Sequence, residues 1–184
     1  MSPVMRERIG TGANPPPFMT GDQQPVVFVG PFEHHSNEIS WRECYVEVVE
    51  VELTDDGLFD LDDLRTKVAS LRFRHRPKIG SSSAPSNVTD VRAPTRQIAS
   101  VMHQHGGAAF FDFAVLAPYV AIDVQGSGDA FYDGVFILPH KYVGGPGSCG
   151  ILLLHEKHYR GDLAPTFGVW WARWSLSISF SRTT

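Results

Sequence analysis

Short apolar runs that stop on glycine, serine or an acid recur along this chain, and stretches of helical period separate them. That alternation constrains the fold more than any other feature. "PVVFVG" (25–30) is β-branched and closes on Gly-Pro, the pattern of a buried strand. "SNEISWRECY" (36–45) begins on a Ser/Asn cap and predicts a short helix, and "VEVVEVEL" (46–53) alternates with period two, a strand with one wet face. Leu61, Leu64, Val68 and Leu71 then recur at helical spacing behind Asp60, a good N-cap. "KIGSSSAPSN" (78–87) reads as a strand running into a polar loop. "APTRQIASVMHQHG" (93–106) reads as a helix with Pro94 in its first turn, Ile98, Val101 and Met102 inward, and Gly106 closing it. "GAAFFDF" (107–113), "DAFYDGVFIL" (129–138) and "GILLLHE" (150–156) supply three more strands. Strands alternating with helices predict an α/β fold, a mostly parallel sheet flanked by helices.

In such sheets functional groups collect beyond the carboxyl ends of the strands. His34, Asn87, Asp112 and Lys141 each follow a predicted strand, so the topology would converge them on one sheet edge. Lys141 sits in "LPHKYVGGPGSCGILLL" (138–154), between a histidine and a glycine run. It is open to three readings: an anion clamp, a covalent cofactor anchor, or a solvated charge on a loop.

Other constellations are weaker. Gly145 to Gly150 spells G-x-G-x-x-G, but a strand follows where the dinucleotide fingerprint needs a helix. His155 and His158 are one residue short of the H-E-x-x-H spacing, and His103 and His105 point in different directions on a helix. Both pairs read as surface residues, and no metal is expected. Cys149 reads as a packed small residue, and two cysteines make no disulfide framework. A net charge of −4 gives no basic field for nucleic acid or an anionic membrane. There is no apolar run of membrane-spanning length and no secretory core at the N-terminus, so the expected compartment is the cytoplasm. Residues 1–24, rich in Gly and Pro, read as a flexible leader. Residues 25–158 hold the α/β pattern, and 159–184 form an atypical aromatic and Ser-rich tail carrying Trp170, Trp171 and Trp174.

Lys141, Asp112, His34 and Asn87 together match what pyridoxal-phosphate chemistry requires. A lysine must join the cofactor aldehyde, a carboxylate must keep the pyridine nitrogen protonated, a ring commonly stacks on the pyridine face, and a donor must hold the phenolic oxygen. Each residue alone has a plainer reading, a solvated lysine or a helix-capping acid.

At these residues the sequence resembles the class V aminotransferase group of fold-type I pyridoxal-phosphate enzymes, and within it the cysteine desulfurase-like branch. The stretches that carry the resemblance are "VVFVGPFEHHSNEISWRE" (26–43), "SAPSNVTDV" (83–91), "FFDFAVLAPYVAIDV" (110–124) and "PHKYVGGPGSCGILL" (139–153). The resemblance implies part of a fold-type I large domain with pyridoxal 5'-phosphate as cofactor. It implies that Lys141 forms the internal aldimine, Asp112 pairs with the pyridine nitrogen, His34 stacks on the ring, Asn87 bonds the phenolic oxygen and His140 helps hold the phosphate. It also implies a small amino-acid substrate and a homodimer. The sequence departs from the family at Val115, where desulfurases carry Gln, and at Leu138, where they carry a phosphate-binding Ser. Residues 1–24 hold no counterpart of the family's phosphate loop, and the C-terminal domain with its catalytic cysteine is not matched. A truncated, non-catalytic α/β remnant, or an interaction protein using the tryptophan-rich tail, is therefore the alternative expectation to an amino-acid enzyme.

Overall fold

The structure is a computed structural model and describes residues 23–86 and 88–159. Six strands, β1 (Val26–Val29), β2 (Glu47–Glu50), β3 (Lys78–Ser83), β4 (Ala108–Asp112), β5 (Gly134–Ile137) and β6 (Ile151–Leu154), form one sheet in the order β2-β1-β3-β4-β5-β6. The first five are parallel, and β6 runs antiparallel to β5. Three α-helices connect them: α1 (His35–Arg42), α2 (Leu61–Val68) and α3 (Thr95–Gln104). The α/β architecture predicted from the alternation is the one observed.

Side-chain alternation divides the sheet into two faces. A Cβ built on Gly80 would meet Met102 of α3 at 2.9 Å, so the face bearing Gly80 is the one that α3 covers. There Phe28, Leu64, Val68, Ile98, Met102, Phe111 and Val135 form the apolar core, each at most 1% exposed. Ser81 therefore points to the other face, where Trp41 of α1 bonds it. By register, Ser83, Asp112, Phe136 and Leu152 share that second face. It is only partly covered, with Phe136 and Leu152 exposed.

Local expectations fared unevenly. Asp60 caps α2 by accepting from the N–H groups of Asp62 and Asp63, and Ile98, Val101 and Met102 are buried. The cap of α1 is neither Ser36 nor Asn37 but His34, whose Nδ1 accepts from the N–H of Ser36. Leu71 does not continue α2: the helix ends at Val68, Leu71 lies in a 3-10 turn (Leu71–Phe73) and is exposed, and Phe73 is buried in its place. Cys149 is exposed rather than packed. Among the described residues no helix is long and apolar enough to cross a membrane. Most of the expected leader and nearly all of the tail with Trp170, Trp171 and Trp174 lie outside the described residues.

Candidate active site

The carboxyl ends of β1, β3, β4 and β5 are adjacent, so residues that follow them line one edge over about 14 Å, three steps of about 4.8 Å. Ser83, Asp112 and Phe136 stand side by side in the register. Asp112 is the last residue of β4, and its Oδ1 accepts from the N–H of Ala114 at 2.7 Å. That bond fixes the carboxylate through one oxygen, and among the described residues the other oxygen has no hydrogen-bond partner.

Lys141 follows β5 in a 3-10 turn, Pro139–Lys141, held by its own N–H donating to Leu138 O at 3.0 Å. The side chains of His140 and Lys141 are exposed and make no hydrogen bond or ion pair among the described residues. A Cβ at Gly145 would lie 1.9 Å from Pro139 O, so this glycine lets the chain fold back against the lysine turn. Leu138 lies beside Gly150, 3.3 Å from where a Cβ there would be.

His34 lies beyond β1, at the start of α1. Because its Nδ1 accepts from the Ser36 N–H, the neutral ring carries its proton on Nε2. Asn87 lies outside the described residues. Before it, the Ser86 hydroxyl accepts from the N–H groups of Val88 and Thr89 and shapes the turn. The structure thus sets His34, Asp112, His140 and Lys141 on one edge, without direct bonds among their side chains.

Two clusters escaped the sequence reading. Glu33, inside the quoted "EHHSN", accepts from the N–H of Gly30 at 3.2 Å, the N–H and hydroxyl of Ser83 at 2.8 and 2.9 Å, and Asn37 Nδ2 at 2.7 Å. Burial pushes its carboxyl above the usual range, and these donors oppose the shift. The usable signal was "GSSSA": serines in a strand buried on both faces must bond something. The second cluster surrounds Asp133, fully buried at the amino end of β5. It takes His103 Nε2 at 2.6 Å, Lys157 Nζ at 2.5 Å, His158 Nε2 at 2.7 Å and the N–H of Ala109 at 2.8 Å. His103 is therefore not a surface residue. Among the described residues no group of three or more metal-ligating side chains is placed to hold an ion. A cavity of about 470 Å³ beside Phe131, Tyr132, Leu153 and His155 also lies at this amino end, opposite Lys141.

The donor set at the carboxyl edge fits the ring and aldehyde ends of pyridoxal phosphate. Among the described residues these are an amine without a partner, a carboxylate anchored through one oxygen and an imidazole whose Nδ1 accepts a backbone N–H. In the lysine turn His140 offers an imidazole, whereas Leu138 has no polar atom to offer.

The family model for aminotransferase class-V matches residues 18–168. The chain belongs to the class-V aminotransferase family. Similar curated proteins include a probable cysteine desulfurase of Halalkalibacterium halodurans, 27% identical over 80% of this chain and 37% of the relative. Another is probable cysteine desulfurase 2 of Mycobacterium leprae, 31% identical over 75% of this chain and 31% of the relative. The chain therefore spans about a third of the length of these relatives. The crystal structure of the cysteine desulfurase CsdA from Escherichia coli shares the fold, with a TM-score of 0.63 and 22% identity over 83% of this chain and 36% of that one.

Proposed function

We propose that this chain carries the central part of the large domain of a pyridoxal-phosphate-dependent enzyme acting on an amino acid, with Lys141 as the covalent cofactor anchor. The observation that carries the reading is the unpaired Lys141 amine on the same sheet edge as the Asp112 carboxylate and the His34 ring. When bound, pyridoxal phosphate supplies an electron sink for the α-carbon of an amino acid. The chain's own groups have separate tasks there. The free oxygen of Asp112 accepts from a protonated ring nitrogen, and its bond to Ala114 holds it in place. His34 offers a flat face whose tautomer is set by Ser36. Asn87 donates to the phenolic oxygen, and His140 donates to the phosphate. The Lys141 amine would be the base that holds or moves the proton at the α-carbon. Following the family, the working unit is a homodimer.

The test is a titration of purified protein with pyridoxal phosphate. Wild type is expected to develop the visible absorbance band of a lysine-bound cofactor, and Lys141→Ala is expected to lose it. No band in wild type would overturn the reading. A second reading rests on the departures at Leu138 and Val115: the α/β domain persists as a non-catalytic remnant that holds the cofactor weakly or not at all. A Leu138→Ser variant separates the two. A gain in affinity on restoring the hydroxyl supports a cofactor seat lacking one phosphate contact, and no gain supports the remnant.

A further inference from the structure

We infer that Glu33 is a positioning residue, fixing the His34 ring and the start of α1 over the sheet edge that bears Asp112. The inference rests on the cofactor role proposed for His34.

Helix α1 has no buried residue, and Ile39 on it is 54% exposed, so an apolar stripe does not hold it to the sheet. Polar contacts do. Trp41 Nε1 donates to Ser81 Oγ at 3.0 Å and to Asn37 Oδ1 at 3.1 Å, and the Ser81 hydroxyl donates to Asn37 Oδ1 at 2.8 Å. Asn37 Nδ2 then donates to Glu33, which collects the Ser83 N–H and hydroxyl from β3 and the Gly30 N–H from the end of β1. Every partner of Glu33 donates, so the site suits an ionised carboxylate, an acceptor only. Such charge-assisted bonds are the stronger kind. Three segments meet at this one side chain: the end of β1, the end of β3 and α1. The next residue in the chain is His34, and it caps α1 through the Ser36 N–H. Moving Glu33 therefore moves the cap, and the ring with it.

No side chain of similar length keeps all of these bonds. In Glu33→Gln one oxygen becomes an NH₂, which would face the Ser83 N–H or the Asn37 NH₂, donor against donor. Glu33→Asp is one methylene too short to reach both Ser83 and Asn37.

The experiment has two parts. Without cofactor, the ¹H–¹³C cross-peak of the His34 ring is recorded at fixed pH in wild type, Glu33→Gln and Ser83→Ala, and assigned by its loss in His34→Gln. Glu33→Gln should move and broaden it. Ser83→Ala, which removes one donor and leaves the fold's carboxylate in place, should move it in the same direction by less. A peak unmoved in Ser83→Ala, and in Glu33→Gln where that variant folds, overturns the inference whatever the cofactor does. With pyridoxal phosphate, Glu33→Gln should bind about tenfold more weakly, as expected for lost bonds to a charged group. It should also lose the induced circular dichroism of the cofactor, as should His34→Ala. Loss of affinity with the induced signal intact would mark a structural role only and overturn the inference. A wild type that shows no cofactor band fails the functional reading instead, while the His34 cross-peak still decides whether Glu33 sets that ring.

Discussion

At the scale of single residues, the lysine turn depends on what is left out as much as on what is present. Lys141 is held at the edge by three features: Pro139 opens its turn, the N–H of Lys141 donates to Leu138 O, and Gly145 returns against Pro139. The last is the most demanding. A methyl group at Gly145 would sit 1.9 Å from a carbonyl oxygen, and backbone cannot rotate away as a side-chain tip can. Gly145→Ala is therefore expected to destabilise the protein by about 1–3 kcal/mol, the range for overpacking, read from urea unfolding. It should also accelerate amide exchange at Tyr142, whose N–H bonds Pro139 O. Gly147→Ala is the control: it is strained by its positive φ but meets nothing within 4 Å, so Tyr142 exchange should stay near wild type.

At the scale of elements, the amino end of β5 is tied to α3, to β4 and to the 3-10 turn Glu156–His158 through Asp133. Burial alone would raise this carboxyl, but bonds from His103, Lys157, the Ala109 N–H and His158 outweigh burial and hold it well below the usual carboxylate range. Burial alone would likewise depress His103, yet the bonds to Asp133 and to the Asp129 carbonyl raise it. The signs follow from linkage. Asp133, depressed in the folded protein, contributes stability that is present above its unfolded value and is lost as pH falls. His103, raised in the folded protein, contributes stability that is full below the ordinary histidine value of about 6.5 and is lost as pH rises through its raised value. His155, pushed down by burial and by Lys157, titrates in the opposite sense, so the comparison must be made against a variant lacking the carboxylate. Asp133→Asn should lower stability by about 3–5 kcal/mol, the range for breaking a buried ion pair. The difference from wild type in urea unfolding should narrow as pH rises from 6 to 8. A gap that stays constant over that range would mean that His103 does not draw on Asp133. His103 read as a surface histidine because its helix position alone says nothing of a partner 30 residues away. The acid is visible in "YDGVF", but which cations reach it is decided only by tertiary packing.

At the scale of the whole molecule, what the sequence revealed and what it hid divide along a physical line. Strand and helix order, the inward faces of α2 and α3, and the gathering of His34, Asp112 and Lys141 at strand ends follow from local periodicity and from the topology it enforces. Glu33, Asp133 and the exposure of Leu71 depend on side-chain partners distant in sequence, which periodicity does not encode. The two sheet edges make a further contrast. Edge strand β2 carries Glu47, paired with Arg72 and Arg76, and Glu50, paired with Arg42, so charge guards its rim. Strand β6 is Ile-Leu-Leu-Leu, has no second neighbour among the described residues, and leaves Ile151 and Leu152 exposed at 42% and 44%. Phe136 extends that apolar surface on the same face of β5. An uncharged aliphatic edge of this kind offers free N–H and C=O groups to another strand, and natural edges commonly block such pairing with lysine. The protein is therefore expected to self-associate through β6 as concentration rises. Leu152→Lys, which adds a charge on the open face, should shift sedimentation toward the smaller species. Because Leu152 is already half in water, thermal stability should change by no more than about 0.5 kcal/mol, the usual limit for surface substitutions. Glu50→Lys, on the guarded edge, should leave the sedimentation profile as it was. If both variants sediment like wild type, β6 is not the edge through which the chain associates.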